Sequence, residues 1–388
     1  MSENAVLSTR SRLPSLTSAL DDAIDRAIAE NRIVGAVVLA AEDGRVVYER
    51  AAGYADREAE RPVRIDTPFR FASVAKPFTM MTGLKLIEAG RLSPDDPVTK
   101  YLPHFHPRLA DGPEAGILVS HLMSHTAGLD YGFLQPADGP YTRAGVSDGL
   151  DESRGTLADN LARIASIPLD RAPGEGWRYS VAIDVLGAVI EVITGTSLPE
   201  AIDALVSSPL GISPSFFWPE DELAAPYYDD SPQPSRMNGT LELRLPFVDG
   251  PGVRFDPHRI ANRDAWSSGG GGMAGRAHDV LTLLEAYRAG DFLRKDLREA
   301  ARTPRVGPEA QTSGPGWGWS WLGSILIDPE LAGSPWSKGT VAWGGVYGNS
   351  WAIDFAWGRT LVALTNTAYE GMMGKFVQDL AVAASQDG

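Results

Sequence analysis

The sequence predicts an α/β domain built from both ends of the chain, with an all-α, mainly helical domain inserted between them. Three observations predict it: β-branched runs near the amino end, a return of strand character from Trp317 onward, and a long middle dominated by helical spacing. The expected boundaries are 1–90 with 276–388 for the α/β part and 91–275 for the insertion.

Leu20, Ile24 and Ile28 recur every four residues among acids and arginines, so 16–31 reads as an amphipathic helix. Two β-branched runs, 34–41 and 45–52, flank the turn Glu42-Asp43-Gly44, which is a hairpin signal. An arginine-rich connection then leads to Asp66-Thr67-Pro68-Phe69-Arg70 and to a helix carrying Ser73, Lys76, Met80, Leu84 and Ile87, closed by Gly90. The insertion offers helices at 117–125, 157–167, 181–194 and 198–206, then proline-rich loops. A helix at 277–289 follows, built on Val280, Leu283, Leu284 and Tyr287. Trp317, Trp319 and Trp321 alternate, which predicts three indoles on one face of a strand. Further strands are expected at 340–343, 350–355 and 360–366, with a closing helix at 377–384.

The 388 residues carry a net charge of −15 and no cysteine. An acidic chain without a basic stripe is a poor partner for nucleic acid or an anionic membrane. The opening residues are polar, with no apolar leader core, and no apolar run is long enough to span a bilayer. The expectation is a protein of the cytoplasm. Without cysteine there are no disulfides, no thiolate catalysis and no thiolate metal sites, and nothing in the pattern calls for a cofactor.

The stretch that carries chemistry is Ser73-Val74-Ala75-Lys76. Residues three apart share a helical face, and no other lysine in the chain stands three after a serine. A serine hydroxyl needs a base within hydrogen-bond reach, and lysine serves if burial lowers its pKa. Here Phe71, Ala72, Val74, Ala75, Pro77 and Phe78 surround the lysine with little that solvates a charge. Tyr179, the only tyrosine followed by serine, comes after a Pro173-Gly174 loop at a helix start. Near Lys76 its phenol, held partly deprotonated, would exchange a proton with Ser73. Trp343-Gly344-Gly345-Val346 ends a strand, and its glycines either form a bulge or tight corner or leave room for a ligand to approach the backbone, where an amide donor would meet an oxyanion.

Other signals read as structural. Gly145-Val146-Ser147-Asp148-Gly149 fits the formal G-x-S-x-G pattern but lies in a loop, without the preceding strand and following helix that a nucleophile elbow requires. His121 and His125 stand four apart with no nearby carboxylate or third histidine to complete a metal site. No lysine follows Gly269 to Gly272 as a phosphate loop demands, so those glycines read as close backbone packing.

Taken together these pieces resemble the serine β-lactamase-like hydrolases, above all class C β-lactamases and family VIII carboxylesterases. Ser73-Val74-Ala75-Lys76 is similar to the nucleophile motif, and His121-Leu122-Met123-Ser124-His125-Thr126-Ala127-Gly128-Leu129 resembles the H-L-L-x-H-T-S-G-L segment. Pro173-Gly174 through Tyr179-Ser180 is similar to P-G-x-x-x-x-Y-S, and Trp343-Gly344-Gly345 stands where β-lactamases have K-T-G. The resemblance implies a β-lactamase/penicillin-binding-protein-like fold, an antiparallel sheet flanked by helices. It implies Ser73 as nucleophile, Lys76 and Tyr179 as the proton-transfer pair, and the Ser73 and Val346 amides as the oxyanion hole. Tyr131 would edge the substrate pocket beside Trp343, Gly344 and Gly345. Two departures bear on substrate: Trp343 replaces a cation, and Val181 occupies the place of an asparagine in Y-x-N. Each removes a polar handle on a charged amide, so a small-molecule ester is the expected substrate. A β-lactam or D-amino acid amide hydrolase, and a non-catalytic binding module, are the competing readings.

Overall fold

The computed structural model describes residues 15–110, 112–152, 155–246, 248 and 250–385. The expectation of a leaderless amino end concerns residues 1–14, which lie outside these.

Helix α1 (Leu16–Ala29) starts at Ser15, whose hydroxyl accepts the Ser18 amide at 3.3 Å, an ordinary N-cap. Strands β1 (Gly35–Glu42) and β2 (Arg45–Asp56) form the expected hairpin. Asp43 and Gly44 have φ of 46° and 83°, the pair of left-handed residues that a two-residue turn of matching twist needs. The sheet adds β3 (Arg61–Pro62), β4 (Trp317–Trp319), β5 (Ser324–Leu326), β6 (Val341–Gly345), β7 (Asn349–Asp354) and β8 (Arg359–Thr365). All neighbours are antiparallel, in the order β4-β5-β6-β7-β8-β1-β2-β3. The two ends of the chain meet at β1 and β8, in register from Ala36 opposite Thr365 to Glu42 opposite Arg359.

β1 is buried almost throughout because both faces of the sheet are covered. Ala36, Val38 and Ala40 point to one side, where they pack with Leu20 and Ile24 of α1 and with Phe376 and Leu380 near the carboxyl end. Val37, Leu39 and Ala41 point to the other side, into the main core. That core contains helix α2 (Lys76–Glu88), helix α3 (Ala182–Thr194) and helix α4 (Ala277–Arg288). α2 buries nearly every residue, as a helix enclosed on all sides must. Helix α5 (Lys375–Ala384) closes the outer layer. No single described helix is long and apolar enough to cross a membrane.

Three expectations change. Ser73 belongs to a 3₁₀ turn, Ala72–Ala75, and the α-helix begins only at Lys76. The three-indole strand stops at Trp319, because the Ser320 amide bonds the Gly323 carbonyl at 2.8 Å and turns the chain. Trp321 therefore lies in a bend; it joins Trp319 in the main core, while Trp317 packs on the α1 side. The helix expected at 117–125 shortens to Val119–Met123.

Candidate active site

The turn bearing Ser73 is strained at its entry. Ala72 adopts φ of 46°, a left-handed backbone that costs an L-residue about 1 kcal/mol or more. Burial of Ala72, Val74 and Ala75 holds it there. The end of β6 abuts the same turn: a Cβ on Gly345 would fall 2.1 Å from the Phe71 carbonyl oxygen and 3.3 Å from the Ser73 nitrogen. At Gly344 a Cβ would fall 2.7 Å from Met372 Cγ. At both glycines the protein's own packing leaves no room for a side chain.

Lys76 Nζ stands 3.1 Å from Ser73 Oγ and donates to the Gly270 carbonyl at 2.7 Å. Tyr179, from the loop before α3, donates its phenol to Ser73 Oγ at 2.7 Å. Two groups predicted from separate motifs, the Lys76 amine and the Tyr179 phenol, thus converge on one oxygen. Trp343 Nε1 donates to the Tyr179 oxygen at 3.0 Å, so its indole addresses the phenol as well as edging the site. Tyr131 stacks on Phe133 with ring centroids 4.7 Å apart, lies 5.1 Å from the Tyr179 ring, and has the Lys76 ammonium 5.3 Å from its own. Val346 follows β6 directly, next to the Gly345 that abuts the Ser73 turn, and is buried. A small cavity next to Lys76 is lined by Met80, His125, Trp319, Trp321 and Trp343.

Burial sets the electrostatics. Lys76 is only 5% exposed, and desolvation brings its pKa down to about 7, against the opposing pull of the Asp184 carboxylate. Tyr179 moves upward, because loss of solvent outweighs its hydrogen bonds with Ser73 and Trp343. The expectation of a partly deprotonated phenol is therefore corrected: the amine is the group poised near neutrality. Once neutral, Nζ keeps its N–H bond to Gly270 and has a lone pair for the Ser73 proton.

The decoys are engaged elsewhere. Ser147 donates its hydroxyl to the Asp151 carboxylate, accepts the Gly149 amide at 3.1 Å, and donates its own amide to Asn160 Oδ1 at 2.8 Å. His121 Nδ1 accepts the Leu118 amide and His125 Nδ1 accepts the Ser180 amide, each at 3.2 Å. His125 therefore carries its proton on Nε2 and, being buried near Lys76, is held well below the ordinary imidazole pKa.

A family model described as Beta-lactamase matches residues 20–385. The chain belongs to the Beta-lactamase family. Within it, the sequence is 50% identical over 363 residues to Esterase EstB of Burkholderia gladioli, covering 93% of each chain. The solved structure of EstCE1, described as a hydrolase with promiscuous acyltransferase activity, superposes with a TM-score of 0.94 at 43% identity, covering 96% of this chain and 98% of that one. The LovD6 mutant of simvastatin synthase from Aspergillus terreus shares the fold at a TM-score of 0.75 and 22% identity, over 97% and 98% of the two chains.

Sequence reasoning missed Asp184, which is 1% exposed and accepts the Ser268 hydroxyl at 2.6 Å and the Gly270 amide at 3.1 Å. One signal was present: a lone acid inside the apolar run Val181-Ala182-Ile183-Asp184-Val185-Leu186.

Proposed function

We propose that this chain is a serine carboxylesterase that cleaves short-chain or aryl esters through an acyl-enzyme on Ser73. The convergence of Lys76 Nζ and the Tyr179 hydroxyl on Ser73 Oγ, at 3.1 and 2.7 Å, carries this reading. Neutral Lys76 takes the hydroxyl proton as Ser73 Oγ bonds to the carbonyl carbon of the ester. The amides of Ser73 and Val346 receive the developing oxyanion. Collapse breaks the bond to the alcohol, which leaves with a proton relayed from Lys76 through Tyr179. Water then repeats the sequence in reverse and frees the acid; an alcohol in its place completes an acyl transfer. The similarity to Esterase EstB supports hydrolysis, and that to EstCE1, a hydrolase with promiscuous acyltransferase activity, supports acyl transfer as well.

Substrate class follows from what lines the site. Tyr131 and Trp343 present aromatic faces, and the cavity beside Lys76 is walled by indoles and methionines. The indole N–H of Trp343 is committed to Tyr179, so it offers nothing to a carboxylate. We further propose the division 1–90 with 276–388 and 91–275, with Ser73 and Lys76 on one part and Tyr179 on the other.

The test is chemical. p-Nitrophenyl acetate and butyrate turn over and nitrocefin and D-amino acid amides lag behind; a fluorophosphonate labels Ser73. Ser73→Ala abolishes turnover and Ser147→Ala retains it. Faster lactam than ester hydrolysis, or labelling at Ser147, overturns the assignment.

A further inference from the structure

The catalytic reading uses Ser73, Lys76 and Tyr179 but leaves a buried carboxylate beside them without a task. Asp184 sits in the first turn of α3, surrounded by apolar residues of that helix. Its Oδ1 takes two hydrogen bonds, from the Ser268 hydroxyl and the Gly270 amide, while Oδ2 is enclosed with no protein partner among the described residues. Burying a carboxylate with half its acceptor capacity unused costs several kcal/mol in principle, so a purely structural role would be poorly served by it.

The bonds form a path to the amine. Gly270 gives its N–H to Asp184 and its carbonyl to Lys76 Nζ, so the main chain of one residue, across two successive peptides, links carboxylate and amine. Thr79, one turn beyond Lys76 on α2, donates to the Gly269 carbonyl at 2.9 Å and fixes the same loop from the other side. Residue 270 must be glycine for this: a Cβ there would lie 2.8 Å from Asp184 Oδ2 and 3.1 Å from the Tyr131 hydroxyl. The glycine run read from sequence as close packing packs against these two polar groups.

We infer that Asp184 is a positioning residue for Lys76, aiming its amine at Ser73 through the main chain of Gly270 and supplying the negative charge that balances the ammonium formed when Ser73 gives up its proton. This deepens the esterase reading and rests on it. The groups facing Lys76 are Ser73, the rings of Tyr131 and Tyr179, His125 and Asp184. Of these, Asp184 alone brings a negative charge to Lys76, since burial holds both phenols protonated and His125 neutral. Asp184 is itself pushed upward by burial, opposed by Ser268, the Gly270 amide, Lys76 and Arg259. Arg259 bonds the carbonyls of Asp151 and Trp266, so its charge reaches Asp184 without a direct contact.

The experiment is a pH profile of kcat/KM for p-nitrophenyl acetate with wild type, Asp184→Asn and Asp184→Glu, each checked for folding by circular dichroism. Asp184→Asn keeps an acceptor for Ser268 but loses the charge: kcat falls about a hundredfold with KM within about twofold, and the acid limb moves down by roughly one pH unit. Asp184→Glu restores the limb to the wild-type position. A folded Asp184→Asn with wild-type kcat and an unmoved limb overturns the inference. Should Asp184→Asn not fold, Ser268→Ala frees the carboxylate to turn while keeping its charge; kcat then falls about tenfold with the limb unmoved, and wild-type kcat overturns the inference. Failure of the esterase reading is distinct: there Ser73→Ala stays active or fluorophosphonate misses Ser73, whatever residue 184 is.

Discussion

At the scale of single residues, the site is governed by what burial does to one amine. With its pKa near 7, Lys76 is the base only when neutral, so kcat/KM for an ester is expected to rise with pH through an acid limb centred near 7 and then level off. A limb near the ordinary carboxylate range would assign the proton transfer elsewhere. The same shift fixes a stability sign. Because the native pKa lies below the ordinary value of 10.5, the folded protein binds fewer protons than the unfolded chain between those two values, and stability rises with pH across that window. Lys76→Met, which removes the buried charge, is therefore expected to raise Tm more at pH 6 than at pH 9 while eliminating turnover; an equal or opposite pH effect in calorimetry would contradict this. Trp343→Phe removes the N–H given to Tyr179 at the cost of one hydrogen bond, so kcat is expected to drop about tenfold with little change in KM. The three site residues were legible because each sits in a motif whose spacing has a chemical reason. The Asp184 link was not, because it passes through the main chain of Gly270, nearly ninety positions downstream, and backbone hydrogen bonds between distant segments leave no local pattern.

At the scale of elements, the decisive contact is the end of β6 against the turn before α2. Gly345→Ala puts a methyl 2.1 Å from the Phe71 carbonyl, where neither backbone has freedom to retreat. The expected cost is about 3 kcal/mol in urea unfolding, with loss of activity in whatever fraction stays folded, since Ser73 shifts with the turn. The helix at α2, the hairpin of β1 and β2, and the strands from β6 to β8 were readable from periodicity alone. The 3₁₀ geometry at Ser73 was not, because it is imposed by Ala72 at φ of 46°, a conformation no propensity assigns to alanine. Trp321 escaped its strand for a similar reason: hydrogen bonds from Ser320 to Gly323 closed a turn that the alternating indoles concealed.

At the scale of the molecule, the sheet joins the first and last parts of the chain and the site draws from α2, β6 and the loop before α3. Sheet and site should therefore be lost together: on heating, ester hydrolysis and far-ultraviolet dichroism are expected to fall along one curve, and activity lost well before the sheet would show that the Tyr179 segment loosens independently. The central pairing also orders events in time. Ala36 waits for Thr365 as its partner, more than three hundred residues of translation later. At a ribosomal rate of about 5–20 residues per second, the first hairpin spends roughly twenty seconds to a minute with one open edge, a template for mispairing with a neighbouring nascent chain. Abundant holdase chaperones are therefore expected to raise recovery from an expression host without altering the finished enzyme, and recovery that is indifferent to them would show that the open edge is harmless.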